Sequence, residues 1–165
     1  MSRLLAAVLL VLVACSCAAT DLQPYRQGDW NAILKGRAGG PLIVHFWGVT
    51  CAPCVVELPQ WGRFLERRAP DSVVFIETDV APDSAVSRMI RDARLEAASN
   101  WAAQAPFDEY ARYEIDTRWQ GEIPFTLLID RKGRAQRVVG QVDFGKLASW
   151  LDRQGAPAIT HPQSP

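Results

Sequence analysis

Apolar and polar positions change their period several times along this chain, and each change predicts an element. Residues 4–14 form an uninterrupted apolar run, followed by a more polar stretch. Asp29 stands as an N-cap before a helix expected over 30–35, which Gly36 and Gly39-Gly40 would end. Residues 42–47, Leu-Ile-Val-His-Phe-Trp, are β-branched and aromatic without alternation, the pattern of a central strand buried on both faces. Gly48 breaks that run. From Cys51 to about Arg67 the period becomes helical, with Val55, Leu58, Trp61 and Leu65 on one face and Pro59 expected to kink it. Residues 73–78 read as a second strand. Asp83 or Ser84 then caps a helix expected to run through Met89 and Ile90 to about Ala98. Residues 99–122 carry Trp101, Phe107, Tyr110, Tyr113 and Trp119 but no clear period, and a short helix near 107–112 with extended chain after it is expected. Two apolar runs, 126–130 and 135–139, flank Arg131-Lys132-Gly133-Arg134 as a β-hairpin would. A last helix starts near Asp143 and turns Phe144, Leu147, Trp150 and Leu151 inward. This order implies an α/β fold, a central mixed β-sheet flanked by helices on both faces.

The chain's 165 residues then divide into a signal peptide at 1–14, a tether at 15–27, one domain over 28–154 and a disordered, Pro-rich tail at 155–165. A domain of roughly 130 residues can bury a core without disulfide staples. The apolar run at 4–14 is too short for a hydrocarbon core that takes about 20 helical residues. Behind Arg3 it fits the apolar region of a secretory signal. Leu12-Val13-Ala14-Cys15 resembles the lipobox of bacterial lipoproteins, which implies cleavage before Cys15 and a lipid on its sulfur. The alternative is ordinary cleavage near Cys17-Ala18-Ala19. Either way the domain is exported, to the periplasm or an equivalent extracytoplasmic space. Lys+Arg and Asp+Glu balance at 18 each, so no basic excess points to nucleic acid.

With Cys15 and Cys17 at the processing site, only Cys51 and Cys54 of the four cysteines remain in the domain. Two cysteines are no disulfide framework, and a zinc site wants a second pair or well-spaced histidines. The histidines are His45 and His161, the latter in the tail. An isolated C-x-x-C is therefore read as redox chemistry.

Phe46-Trp47-Gly48-Val49-Thr50-Cys51-Ala52-Pro53-Cys54, followed by Glu57-Leu58-Pro59, resembles the active-site signature of the thioredoxin superfamily, nearest its exported TlpA/ResA-like branch. Gly121-Glu122-Ile123-Pro124-Phe125-Thr126 resembles the cis-proline loop of the same family. The resemblance covers roughly 40–150. It implies a thioredoxin-like fold, a cis Ile123–Pro124 bond facing the cysteines, and extended substrate paired with the backbone of Ile123. A strand that turns through C-x-x-C into a helix also places Cys51 where unpaired N–H groups favour a thiolate. Cys51 would attack a substrate disulfide and Cys54 would resolve the mixed disulfide.

Thr50 replaces the Trp that often precedes the first Cys, leaving a smaller and more polar rim. His45 stands where thioredoxins proper carry a buried acid; it either relays the Cys54 proton or is a hydrogen-bonded core residue. Glu57 and Glu122 either tune thiol ionisation or, as a helix-start Glu usually does, compensate the helix dipole. Trp47 packs beside the disulfide. The expected function is reduction of disulfides in exported proteins by a Cys51–Cys54 dithiol, with no cofactor beyond that pair. A membrane electron donor would recharge a monomer tethered by lipid at Cys15. Cytochrome c maturation and stress or metal tolerance are the uses the resemblance offers. The alternative is a copper-binding module using Cys51, Cys54 and His45; a thioredoxin-like peroxidase fits less well.

Overall fold

The computed structural model describes residues 22–37, 39–68 and 72–155. The signal, Cys15 and the Pro-rich tail lie outside the described residues, as does His161. Eleven elements follow in order: β1 (Leu22–Tyr25), α1 (Asp29–Gly36), β2 (Leu42–Trp47), α2 (Ala52–Leu65), β3 (Val73–Glu77), α3 (Asp83–Asp92), β4 (Ser99–Ala103), α4 (Glu109–Ile115), β5 (Phe125–Ile129), β6 (Ala135–Val139) and α5 (Phe144–Arg153). The six strands form one sheet in the order β1-β4-β3-β2-β5-β6. The first four in that order are mutually parallel, while β5 runs antiparallel to both β2 and β6.

β2 shows why its sequence lacks alternation. All six residues are buried, but successive side chains still point to opposite faces. Ile43 and Trp47 join a cluster with Cys54, Leu58, Trp61, Ile90, Leu147 and Trp150 beneath α2, α3 and α5. Leu42, Val44 and Phe46 join another with Trp30, Ile33, Phe125 and Leu127 beneath α1. Helices on both faces make both sets apolar. The 135–139 hairpin strand and the last helix stand where their patterns put them, with Gly133 at φ 80° in the turn and Asp143 accepting from the Lys146 N–H as N-cap.

Several expectations fail for physical reasons. The tether segment contains β1, an edge strand whose four residues include Pro24. Pro24 has no N–H to give, and an edge position tolerates that. β4 lies in the aperiodic 99–122 stretch. Its Ser99-Asn100-Trp101-Ala102-Ala103 has little strand propensity, yet it is registered between β1 and β3. The buried Asn100 amide donates to the carbonyls of Leu95 and Ala98, tying the preceding turn to the strand. That turn ends α3 at Asp92 instead of Ala98, with Arg94 at φ 60°. Neither Asp83 nor Ser84 caps α3, which Pro82 precedes. Asp29 is the first residue of α1; Gly28, at φ 96°, holds the cap position. The aromatic segment's helix runs over Glu109–Ile115, capped by Asp108.

The buried face of α2 is Cys54, Glu57, Leu58, Trp61, Gly62 and Leu65, so the apolar stripe begins at Cys54 and leaves Val55 39% exposed. Pro59 lies on the exposed side of a helix that continues through it. Gly62 is where α2 meets the end of α3: a Cβ there would stand 1.9 Å from the Ala93 carbonyl oxygen. Backbone cannot yield as a side-chain tip can, so Gly62→Ala should cost about 1–3 kcal/mol in urea unfolding. Gly36→Ala, where a Cβ meets nothing within 4 Å, should be neutral or slightly stabilising in the same assay.

Candidate active site

β2 ends at Trp47, and four residues later the chain enters α2. Gly48 to Cys51 make a turn, with the Cys51 N–H on the Gly48 carbonyl at 3.2 Å. Cys51 is the N-cap of α2, extended at φ −84° and ψ 97°, and its Sγ accepts the Cys54 N–H at 3.2 Å. Pro53 sits in the first turn, where its missing N–H costs nothing. No acidic residue lies in that turn, so no side chain of the helix's own first turn offsets its N-terminal field at the Cys51 sulfur. Cys51 and Cys54 are joined as a disulfide. Cys54 is fully buried and Cys51 partly exposed. One sulfur is reachable and the other is not.

Ile123–Pro124 is a cis peptide bond. Phe125 pairs with Phe46 at the end of the β2–β5 ladder, so Pro124 lies beside the strand end that leads to Cys51. The Pro124 carbonyl accepts the Gly140 N–H at 2.8 Å. Ile123, partly buried, packs on the cluster that holds Trp47, Cys51 and Cys54. Glu122 is different: its carboxylate is exposed and accepts the N–H of Gln120, while its carbonyl accepts the Trp119 indole N–H at 2.9 Å. Both bonds lie within the loop itself. Thr50 is exposed on the rim and bonded to Asp79.

Beneath the cysteines lies a fully buried pair. His45 Nδ1 is 2.9 Å from Thr126 Oγ1, and its Nε2 is 3.5 Å from Glu57 Oε2. Trp61 and Phe75 pack on the imidazole, with ring centroids 4.9 and 5.8 Å away. Burial lowers the His45 pKa from 6.5 to about 3. Burial raises that of Glu57, opposed by the Val142 N–H that its Oε1 accepts and by the nearby Trp61 indole. Both shifts favour the neutral forms, as expected where charge is poorly solvated. Glu57 thus has no part in compensating the helix dipole from solvent; it is three residues beyond Cys54 on the same inward face. Sequence reasoning quoted Thr126 only as the end of the proline-loop motif, without its bond to His45, and missed Val142, which lies in a distant loop and carries no motif. It also missed Glu77 and Asp79 at the end of β3. Among the described residues no group of three or more His, Cys, Asp and Glu side chains could hold a metal ion, and the copper-module alternative is not favoured.

No protein-family model matches the chain. It is 25% identical over 119 residues to the sporulation thiol-disulfide oxidoreductase A of Bacillus subtilis, covering 69% of this chain and 68% of that protein. Among solved structures, StoA from Bacillus subtilis superposes with TM-score 0.51 at 26% identity, covering 68% of this chain and 82% of that one. This chain is a thioredoxin-fold thiol–disulfide oxidoreductase. The same fold recurs in a thiol:disulfide interchange protein from Chlorobium tepidum (TM-score 0.57, 18% identity, 70% of this chain and 80% of that one). It recurs again in a secreted Mycobacterium tuberculosis disulfide oxidoreductase homologous to E. coli DsbE (TM-score 0.52, 21% identity, 70% and 82%).

The buried imidazole gives the oxidoreductase a pH signature. The unfolded chain protonates His45 near pH 6.5, whereas the folded chain keeps it neutral down to about pH 3. The unfolded state therefore binds more protons between those values, and stability falls as pH drops through that window. His45→Asn should flatten this dependence by up to roughly 1.4 kcal/mol per pH unit. Urea unfolding of both proteins at pH 7 and pH 4.5 measures the difference; parallel profiles would refute the assignment.

Proposed function

We propose that this oxidoreductase works as a disulfide reductase on exported proteins, with Cys51 as nucleophile, Cys54 as resolving thiol and the His45–Glu57 pair as its proton store. The observation that carries the reading is the asymmetry of the two sulfurs. Cys51 caps a helix at the surface, and Cys54 is buried on the same helix face as a neutral-leaning carboxyl. In the reduced protein the Cys51 thiolate attacks one sulfur of a substrate disulfide, forming a mixed disulfide and releasing one substrate thiol. Cys54 then gives up its proton and attacks Cys51 Sγ, breaking the mixed bond and releasing the second substrate thiol. Two electrons pass from the Cys51 thiolate and Cys54 thiol to the substrate, whose two released thiolates take their protons from solvent, leaving Cys51–Cys54 oxidised. Glu57, one turn beyond Cys54, receives the Cys54 proton in its carboxylate form, and the burial that raises its proton affinity suits it to that step. The backbone of Ile123, ahead of Pro124, offers an edge for an extended substrate.

Pro53 before the second cysteine is shared with reducing thioredoxins and supports the reducing direction. Extracytoplasmic placement is supported by the secreted Mycobacterium tuberculosis oxidoreductase that shares this fold. Lipid attachment at Cys15 and recharging by a membrane electron donor are supported by the Leu12-Val13-Ala14-Cys15 motif and by the need of any reductase for a source of electrons.

Cys54→Ser should accumulate mixed disulfides through Cys51 in the native compartment, whereas Cys51→Ser should trap none; equal yields from both variants would sink the role assignment. A reduction potential above roughly −150 mV, nearer the strong oxidants than thioredoxin, would reverse the direction. Glu57→Gln keeps an oxygen for the Val142 N–H but cannot take a proton. It should slow turnover of a model disulfide substrate roughly 10²-fold while leaving Cys51 alkylation little changed.

A further inference from the structure

The turn between β2 and α2 is gripped from the neighbouring strand. β3 ends at Glu77, which is paired with Trp47, and the chain continues through Thr78 and Asp79 to Val80 at φ 56°. Thr78 donates its N–H and hydroxyl to the Trp47 carbonyl, at 2.9 and 3.1 Å. Asp79 Oδ2 accepts both the N–H and the hydroxyl of Thr50, each at 2.8 Å. A Cβ on Gly48 would stand 2.5 Å from both Asp79 carboxylate oxygens. Glycine is therefore what leaves room for the carboxylate at this turn. Asp79 is itself seated: its N–H donates to Oε1 of the fully buried Glu77 at 2.7 Å. Burial pushes Glu77 up to about 7, while the N–H groups of Asp79, Ala81 and Val49 favour its ionised form. One acid thus supports the other, and the outer one holds the residue next to Cys51.

We propose that Asp79, seated by Glu77, is a positioning residue of the redox centre: its carboxylate fixes Gly48-Val49-Thr50 and thereby sets how readily the Cys51 thiol ionises. The proposal rests on the exchange chemistry described above and adds a determinant that does not touch the sulfurs. Two consequences of the carboxylate oppose each other. Anchoring the turn keeps Cys51 in the N-cap geometry that favours its thiolate. The negative charge beside the adjoining residue disfavours the same thiolate. Asparagine keeps the shape and one acceptor oxygen but removes the charge, so it separates the two.

The test uses the full reduced protein and follows Cys51 alkylation by iodoacetamide across pH 5 to 9, with insulin reduction measured alongside. Asp79→Asn should move the alkylation profile to lower pH by about half a unit, which is about threefold faster reaction on the acid side. Asp79→Ala, which releases the turn as well, should lose insulin reduction at least tenfold through kcat. Asp83→Asn, which removes an exposed charge in the first turn of α3 and leaves the turn before Cys51 untouched, should stay within twofold of wild type in its profile. An Asp79→Asn profile that superimposes on wild type overturns the proposal, as does an Asp79→Ala protein that is folded and fully active. A wild-type protein that alkylates at Cys51 but exchanges no disulfide overturns the exchange reading itself, and is distinguished by failing before any variant is compared.

Discussion

The site depends on how β2 hands the chain to α2. The strand is buried on both faces, so its direction is held by two apolar clusters and two neighbouring strands, and it cannot drift. The helix must begin four residues later, with its first unpaired N–H groups over a sulfur. Gly48 to Cys51 are all that connects the rigid strand to the rigid helix, and every feature of the redox pair follows from that short span. Cys51 is reachable because it caps the helix; Cys54 is not, because one turn on, the helix has already rotated it into the core. A single α-helical period thus separates an attacking thiol from a resolving one.

That arrangement also explains why polar groups lie where apolar ones would pack better. His45 and Glu57 occupy fully buried positions on the face that otherwise holds Trp47, Leu58 and Trp61. Burying two titratable groups costs free energy unless they are partnered. Here Thr126 and Val142 each supply one hydrogen bond, His45 Nε2 and Glu57 Oε2 approach to 3.5 Å, and both groups are driven toward neutrality. A neutral pair is cheaper to bury than an ion pair.

Much of this was legible in the sequence where local pattern and tertiary demand agree. β2, the hairpin and α5 have side chains that state their own burial, and the Cys and Pro motifs name the chemistry. The failures have a common cause. β1 and β4 hold their places by register with β3, through backbone pairing that Leu22-Gln23-Pro24-Tyr25 and Ser99-Asn100-Trp101-Ala102-Ala103 do not advertise in their side chains. On α2 the pattern places Leu58, Trp61 and Leu65 inside, as they are, and errs only at Val55, which is 39% exposed because the stripe begins at Cys54. Glu57 looked like a solvated helix-start acid because the groups that receive it, His45 and the Val142 N–H, are far away in sequence. Asp79 left no signal at all; only the missing Cβ of Gly48 hints that something must fit there.

Two acids thus stand close in the structure to the neighbours of the two cysteines, Asp79 at Thr50 and Glu57 one turn after Cys54, and the difference between them suits the roles proposed for the sulfurs. On the outer side Asp79 bonds the residue before Cys51, in contact with solvent, so its charge is screened and acts as a modest brake on thiolate formation. On the inner side Glu57 follows Cys54 along the buried face of α2, where a charge would be strongly felt and burial holds the group toward its protonated form. An attacking thiol needs to be ionised before substrate arrives, which suits a helix terminus with a weak opposing charge. A resolving thiol needs to be ionised only after the mixed disulfide has formed, which suits a buried acceptor that is reluctant to stay charged. On the proposed roles, the order of the two steps follows from the solvent exposure of the two acids rather than from the identity of the two cysteines.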